Sequence, residues 1–212
     1  MGTDFNQLFD EWSSTYDETV AGNDPEYNEV FRGYDQILNE VALKAFGNVI
    51  EFGVGTGNLT EKLVSYEKNV YGFEPSDGMR KIAKEKLPYV NLEKGDFLQF
   101  QPPFQSVDSI VSTYAFHHLT DEEKTIAIKK YNELLADGGK IIFADTVFVD
   151  EQAKVAMIQD AKNKGFHRLA NDLSTEFYTT IPFFQELFRS LGFTSAFTQM
   201  NDFVWLIEAT KQ

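Results

Sequence analysis

Cysteine is absent from this chain of 212 residues, which excludes disulfide bonds and thiolate-ligated metal sites. No run of apolar residues is long enough to span a bilayer. The first residues are acidic and lack the apolar region of a secretion signal. We therefore expect a cytoplasmic protein that has no membrane partner and binds no metal.

Basic residues are few, because 19 Lys and Arg stand against 33 Asp and Glu and give a net charge of −14. Such an acidic surface repels phosphate backbones, so nucleic acid is not an expected partner. The nearest basic run, residues 80–86, is interrupted by an acidic residue and is typical of a solvated helix face. The length and composition suit one globular domain, expected as a monomer or homodimer.

Apolar periodicity predicts two N-terminal helices followed by alternating strands and helices. Residues 5–16 have helical spacing, and Asp24-Pro25 predicts the start of a second helix that extends to Ala45. Strands are predicted at 49–52, 69–74, 90–93, 107–113 and 140–148, with helices at 59–66, 76–87 and 120–135 between them. This alternation indicates a parallel sheet with helices on both faces.

The C-terminal third departs from that alternation. Helices are predicted at 151–164 and 181–191, followed by strands at 194–199 and 203–210. The connection between these two strands is too short for a parallel crossover, so they form an antiparallel hairpin and one strand is reversed. Residues 150–180 are an insertion after the fifth strand, and we expect this insertion to determine substrate specificity, because loops at this end of such a sheet roof the pocket.

The most informative motif is Val-Ile-Glu-Phe-Gly-Val-Gly-Thr-Gly-Asn-Leu-Thr, at residues 49–60. Glu51 lies near the end of a strand, Gly53, Gly55 and Gly57 follow at alternate positions, and a helix begins directly afterwards. Glycines at that point let the backbone turn tightly and approach a ligand, while the helix start presents N–H donors. The G-x-G-x-G spacing differs from the G-x-G-x-x-G of dinucleotide sites, so the motif alone indicates only a nucleotide-like cofactor.

Two further strand ends carry carboxylates at the same edge of the predicted sheet. Glu74 ends the second strand, where a carboxylate can accept hydrogen bonds from both hydroxyls of a ribose. Asp96 follows the third strand, where it can accept from an exocyclic amine such as that of adenine, and Phe97 offers an N–H and a ring face. The fourth strand ends in a polar and aromatic run at residues 112–119.

On these residues the chain resembles the class I S-adenosylmethionine-dependent methyltransferases, and among them the small bacterial YrrT-type group. The resemblance covers residues 46–148, and the terminal hairpin is similar to the family's reversed seventh strand. It implies an α/β, Rossmann-like fold with a seven-stranded, mostly parallel sheet in the order 3-2-1-4-5-7-6, the last strand antiparallel. It also implies a helical lid (1–46), a cofactor-binding core (47–148) and a substrate-side insertion with the hairpin (149–212) within the single domain 1–212.

The resemblance implies S-adenosylmethionine as the cofactor and in-line transfer of its methyl group to a small-molecule acceptor. In the family, the E-x-G-x-G-x-G loop holds the methionine part, the acidic residue after the second strand the ribose, and the Gly-Asp segment the adenine. The cofactor-binding residues implied here are Glu51, Gly53, Gly55, Gly57, Glu74, Pro75, Met79, Asp96, Phe97 and Thr113. Their carboxylates suit a cofactor that carries a sulfonium and an ammonium but no phosphate.

The candidates for catalysis are His118, which can take a proton near neutral pH, and Tyr16, a lid residue over the cofactor. The alternatives are a cofactor-pocket or structural role for His118, beside His117, and simple helix packing for Tyr16. His167 either lines the substrate pocket or lies in a surface loop. Arg168 either indicates an anionic substrate or pairs with a surface carboxylate.

Two other functions fit the same motifs less well. A nicotinamide-dependent oxidoreductase shares the acidic ribose contact, but it is disfavoured by the glycine spacing and by the lack of a Tyr-x-x-x-Lys pair. A cofactor-binding module without catalysis, acting as a sensor or partner subunit, is the second alternative.

Overall fold

A computed structural model describes residues 16–212 of the chain. The first predicted helix, over residues 5–16, lies outside the described residues except for Tyr16. From there Tyr16–Glu18 is helical and continues into a π-helical turn, Thr19–Asn23. We call residues 16–23 the N-terminal segment.

One sheet organises the described part of the chain. Its strands are β1 (Asn48–Phe52), β2 (Asn69–Phe73), β3 (Asn91–Glu93), β4 (Val107–Thr113), β5 (Leu135–Thr146), β6 (Phe193–Gln199) and β7 (Val204–Lys211). Across residues 16–212 the strand order is β3-β2-β1-β4-β5-β7-β6, with β1 to β5 parallel and β7 antiparallel to both of its neighbours. The expected fold class and strand order are therefore confirmed. The reversed strand β7 lies between β5 and β6, because it pairs with residues 140–146 of β5 on one side and with β6 on the other.

Helices cover both faces of the sheet. They are α1 (Tyr34–Lys44), α2 (Asn58–Ser65), α3 (Asp77–Lys86), α4 (Asp121–Leu134), α5 (Glu151–Asn163), α6 (His167–Thr175) and α7 (Ile181–Ser190). Neighbouring residues of the central strands alternate between two apolar cores: Val49 and Val111 pack with α1 and α2, whereas Ile50 and Ile110 pack with α4 and α7. Both faces are buried, as a parallel sheet requires. No helix of residues 16–212 combines the length and the apolar composition needed to cross a bilayer.

Two helix starts follow the predicted capping chemistry. Ser76 precedes α3 and its side chain accepts a hydrogen bond from the backbone N–H of Met79. Thr120 and Glu123 form a reciprocal capping box before α4, with Thr120 Oγ1 accepting from the Glu123 N–H and Glu123 Oε2 accepting from the Thr120 N–H. Local sequence therefore fixes where both helices begin.

Three boundaries differ from the sequence prediction. Residues 24–33 form turns, and the helix expected from Asp24 begins only at Tyr34 because Gly33 adopts a left-handed conformation with φ of 76°. Helix α4 ends at Leu134 and β5 begins at once, because Leu135 pairs with Val107 of β4. Helix α6 was not predicted, since the sequence pattern indicated no element between the helices at 151–164 and 181–191.

Candidate active site

The glycine loop after β1 turns through left-handed conformations. Gly53, Gly55 and Gly57 have φ values of 68°, 57° and 88°, which side-chain-bearing residues rarely adopt. A Cβ on Gly53 would lie 2.9 Å from the Cβ of Ala115, and one on Gly57 would lie 3.2 Å from a methyl of Leu87. A Cβ on Gly55 would meet open space. Packing therefore requires glycine at position 53, the left-handed φ favours glycine at all three positions, and the middle position leaves its backbone open to a ligand.

Glu74, at the end of β2, is held in a fixed orientation. Its Oε2 accepts a hydrogen bond from the N–H of Gly55 and its Oε1 accepts from the N–H of Ser76, each at 2.8 Å. The side chain is 5% exposed, and the Arg80 guanidinium donates to the Glu74 carbonyl. The glycine loop and the start of α3 thus converge on one carboxylate, and a carboxylate is the kind of acceptor that suits vicinal hydroxyls.

Asp96 and Phe97 lie after β3 and make different contacts: Asp96 stabilises a turn, and Phe97 packs in the core. One oxygen of Asp96 accepts hydrogen bonds from the N–H groups of Leu98 and Gln99, both at 2.8 Å, so the carboxylate organises its own turn. The Phe97 ring packs in the core, with its centroid 5.5 Å from that of Phe52. The ring therefore packs in the core and also borders the cleft.

One cleft collects most of the predicted residues. The described residues that border it are Tyr16, Gly53, Gly55, Glu74, Pro75, Met79, Asp96, Phe97, Thr113, Tyr114, Ala115 and His118. Every predicted site residue except Glu51 and Gly57 is in this set. Tyr114 and Ala115 were not predicted individually, although both belong to the polar and aromatic run after β4.

Glu51 lies beneath the glycine loop. It is 1% exposed, and its Oε2 accepts a hydrogen bond from Thr60 Oγ1 at 2.7 Å. Burial raises the pKa of Glu51 to about 8; the charge of Glu74 adds to this rise and the Thr60 hydrogen bond opposes it. The carboxyl is therefore largely protonated at neutral pH unless a cation approaches. Its predicted contact with the cofactor stays a prediction.

A larger cavity adjoins the cleft, and we call it the side chamber. Its volume is about 480 Å³, and it shares Tyr16, Tyr114 and His118 with the cleft. The N-terminal segment, the turns at 24–33 and α6 contribute residues to its walls. Its polar lining includes His117, Asp172 and Glu176, and its aromatic lining includes Tyr27, Phe31 and Tyr178.

His118 stands where the cleft and the chamber meet. Its Nδ1 lies 2.9 Å from Oε2 of Glu176, and the ring is 7% exposed. Burial lowers the pKa of His118 and the neighbouring His117 lowers it further, whereas Glu176 opposes both. A neutral ring that donates from Nδ1 to the carboxylate carries its lone pair on Nε2. This is the protonation state of a general base.

His117 forms a charged pair with Asp145. Its Nδ1 lies 2.6 Å from Oδ1 of Asp145, its backbone N–H donates to Oδ2 at 2.9 Å, and its ring stacks on Tyr178. Burial lowers the pKa of His117, but the charge and hydrogen bond of Asp145, together with the charge of Glu176, outweigh burial and raise it above the ordinary value. Burial likewise acts to raise the pKa of Asp145, but the charge and hydrogen bonds of His117 and the N–H of Thr146 together outweigh burial and lower it. Both directions favour the charged forms of His117 and Asp145, whose charges balance each other.

His117, His118 and Glu176 could also hold a metal ion, since they offer ligand atoms within 4.8 Å of one another. However, His118 Nδ1 and Glu176 Oε2 already bind each other, and His117 Nδ1 binds Asp145. These two carboxylate–imidazole pairs account for the geometry without an ion. The expectation that the protein binds no metal stays a prediction.

Arg168 pairs with surface carboxylates, in agreement with the second of the two alternatives. Its two terminal nitrogens donate to both oxygens of Asp24 at 2.8 Å, and its Nε donates to Glu26 at 3.2 Å. Glu26 Oε2 also accepts from the backbone N–H groups of Arg168 and Leu169, so it caps α6. His167 begins α6, where it is exposed and borders the side chamber, and thus does not lie in a loop.

Tyr16 borders both cavities and hydrogen-bonds Tyr34. Burial raises its pKa, and Tyr34 raises it further, so the phenol stays protonated. Asp17 accepts from Thr56 Oγ1 at 2.7 Å and from the Asn58 amide at 3.0 Å, which ties the N-terminal segment to the glycine loop. A lid function for Tyr16 fits this geometry and stays a prediction.

Residues 49–139 of the sequence match a family model described as a methyltransferase domain. An uncharacterized methyltransferase of Bacillus cytotoxicus is 60% identical over 213 residues, which is the full length of both chains. The chain belongs to the class I methyltransferase family. An uncharacterized methyltransferase of Bacillus mycoides is 59% identical and also matches over its full length.

Solved structures share the fold of this methyltransferase. The magnesium protoporphyrin IX methyltransferase of Synechocystis with bound SAH gives a TM-score of 0.71 at 17% identity, over 97% of this chain and 98% of that one. A DhpI-SAM-HEP complex gives 0.67 at 19% identity, over 100% and 98% of the two chains. At these identities the likeness shows the fold.

Proposed function

We propose that this methyltransferase uses S-adenosylmethionine bound in the cleft to methylate a small molecule held in the side chamber. The observation that carries the proposal is the junction of the two cavities, because Tyr16, Tyr114 and His118 border both. A cofactor in one cavity and an acceptor in the other would meet at this junction. The family membership supports the reaction type, and the junction supports the assignment of the two cavities.

The donor set of the cleft fits S-adenosylmethionine. Glu74 and Asp96 offer acceptors to ribose hydroxyls and to the adenine amine, and Gly55 leaves room for close approach. None of the described residues that border the cleft is Lys or Arg, so a pyrophosphate would lack cationic partners there. The fit therefore disfavours a nicotinamide cofactor, and the methyltransferase relatives give the oxidoreductase alternative no support.

Methyl transfer needs alignment, exclusion of water and, for some acceptors, removal of a proton. S-adenosylmethionine supplies a methyl group activated by its sulfonium. With this cofactor bound, an acceptor atom would form its bond to the methyl carbon as the carbon–sulfur bond breaks, and sulfur would keep that electron pair. The acceptor proton passes to Nε2 of His118, whose ring Glu176 orients. Tyr16 and Tyr114 flank the junction and limit access of water.

The side chamber supports a small-molecule acceptor. Its volume of about 480 Å³ is within the range typical of small-ligand pockets. The net charge of −14 disfavours nucleic acid as the acceptor. We further expect the protein to act in the cytoplasm as a monomer or homodimer.

Calorimetry with S-adenosylmethionine tests cofactor binding, and a labelled methyl group tests catalysis. We expect saturable cofactor binding and transfer of label to a small molecule from a metabolite panel. Cofactor binding without labelled product from any acceptor would favour the non-catalytic module. Tight NAD binding with no response to S-adenosylmethionine would overturn the proposal.

A further inference from the structure

We infer that the side chamber recognises a protonated amine, so that the methyl acceptor is a small ammonium compound with an apolar or aromatic body. This inference deepens the proposed function and rests on it, because it names the class of acceptor. Three observations support it: the chamber has two carboxylates, its walls are aromatic, and its basic residues are already paired with other carboxylates.

Asp172 and Glu176 bring two carboxylates to one wall of the chamber. They are four residues apart, at the end of α6 and directly after it, so they lie on the same side of the helix. Burial raises the pKa of Asp172, and the nearby charge of Glu176 adds to this rise. The Tyr27 hydroxyl donates to Asp172 and holds its carboxylate in place. A cation between the two carboxylates would offset the energetic cost of burying their charges and would reduce their mutual repulsion.

The positive charges that border the chamber are already balanced. Of the described residues that border it, Arg168 alone is a Lys or Arg, and its guanidinium binds Asp24 and Glu26. The charge of His117 is matched by Asp145. An incoming ammonium therefore meets net negative potential. A carboxylate or phosphate would be repelled, because the cationic side chains among these described residues are already bound to other carboxylates.

Aromatic rings supply the rest of the wall. Tyr27, Phe31, Tyr114 and Tyr178 border the chamber, and the centroids of Phe31 and Tyr114 are 5.2 Å apart. Ring faces attract cations and pack against apolar groups, so these walls suit an ammonium carried on an apolar body. The combination of aromatic faces with carboxylates is the chemistry that distinguishes an amine from an alcohol of the same shape.

Tyr114 adds an independent observation. Its hydroxyl is buried and has no hydrogen-bond partner among the described residues, although the residue borders both cavities. It is also a non-glycine residue with a left-handed φ of 53°, a conformation that is often found at functional sites. A buried hydroxyl without a partner is costly, and an ammonium N–H would provide the missing donor.

Methylation of such an acceptor balances without another reagent. One ammonium proton passes to His118 Nε2, and the nitrogen lone pair forms the bond to the methyl carbon. The carbon–sulfur bond breaks with its electron pair remaining on sulfur, and the products are the methylated amine and S-adenosylhomocysteine. Asp172 takes no part in the proton transfer, which makes it the suitable residue for testing recognition alone.

Calorimetry on the full chain saturated with S-adenosylhomocysteine tests the inference with three probes that share a phenyl ring and a two-carbon chain but differ in the terminal group. The probes are phenethylamine, phenethyl alcohol and phenylacetate. We expect phenethylamine to bind about tenfold or more tightly than either other probe, because hydrogen bonds between charged groups exceed neutral ones by that factor. Asp172→Asn should weaken phenethylamine about tenfold and leave phenethyl alcohol unchanged. Asp160→Asn, at an exposed carboxylate on α5 that pairs with Lys164, is the matched control and should change neither affinity.

The inference is overturned if phenethyl alcohol or phenylacetate binds as tightly as phenethylamine, or if Asp172→Asn leaves amine affinity unchanged. Failure of phenethylamine to bind at millimolar concentration would also overturn it. The heat of S-adenosylhomocysteine binding, measured first, separates this result from failure of the proposed function. A protein that binds S-adenosylhomocysteine but prefers phenylacetate keeps its function and loses this acceptor class.

Discussion

Replacement of Glu51 by Gln should remove a large part of the pH dependence of stability. Glu51 is fully buried, and its folded-state pKa is about 8 against an ordinary value of 4.5. Between these two values the unfolded chain binds fewer protons than the folded one, so the free energy of unfolding falls as pH rises. From about pH 5 to about pH 7 the fall attributable to Glu51 is roughly 2 to 3 kcal/mol, at 1.36 kcal/mol per pH unit.

Glu51→Gln keeps the shape of the side chain and an acceptor for Thr60, but it cannot ionise. We therefore expect the variant to gain stability over the unmodified protein as pH rises across that window. Urea unfolding, followed by circular dichroism at several pH values without cofactor, measures the difference. Glu61→Gln, at an exposed glutamate of α2 that pairs with Lys86, is the control and should follow the unmodified protein. A parallel pH profile for Glu51→Gln would refute the reasoning.

Two further changes test other parts of the account. Gly53→Ala should cost roughly 1 to 3 kcal/mol, because φ is 68° and the new Cβ would lie 2.9 Å from that of Ala115; urea unfolding measures it, and an unchanged midpoint would contradict this geometry. Asp145→Asn should lower the pKa of His117, since the charge and hydrogen bond of Asp145 are the largest effects that oppose burial. An NMR titration of the imidazole checks this, and a His117 pKa that stays high would show that another group charges it.

Sequence patterns predicted the sheet and the cleft well because they are governed by short-range rules. Buried parallel strands appear as apolar runs, and capping residues mark helix starts, as Ser76 and Thr120 do. Glu74 follows β2 directly and Asp96 lies three residues after the end of β3, and parallel strands end at one edge of the sheet. Their meeting in a single cleft was therefore predictable from spacing.

The side chamber was not predictable in the same way. Its key pairs join residues distant in the chain, with Glu176 lying 58 positions from His118 and Asp145 lying 28 positions from His117. Arg168 meets Asp24 across 144 positions and Glu26 across 142, and these two contacts are what disfavour the anionic-substrate interpretation. No local sequence pattern predicts such pairings, because they depend on how distant elements, among them α6, pack together.

The helix expected from Asp24 shows the opposite failure, in which a local pattern was misleading. The apolar spacing of residues 27–41 suits one helix, but Gly33 turns left-handed and separates turns from α1. Tyr27 then reaches Asp172 and walls the chamber, instead of lying on a helix face. The left-handed Gly33 marks the start of α1, and its φ cannot be inferred from spacing.

The most direct test of the central claim is calorimetry of S-adenosylmethionine against the unmodified protein, Glu74→Gln and the control Glu61→Gln. Glu74 orients the cleft through Gly55 and Ser76, and its carboxylate is the proposed ribose contact. The account predicts that Glu74→Gln weakens binding by about tenfold or more while Glu61→Gln binds normally. Unchanged affinity in folded Glu74→Gln, or no cofactor binding by the unmodified protein, would contradict it.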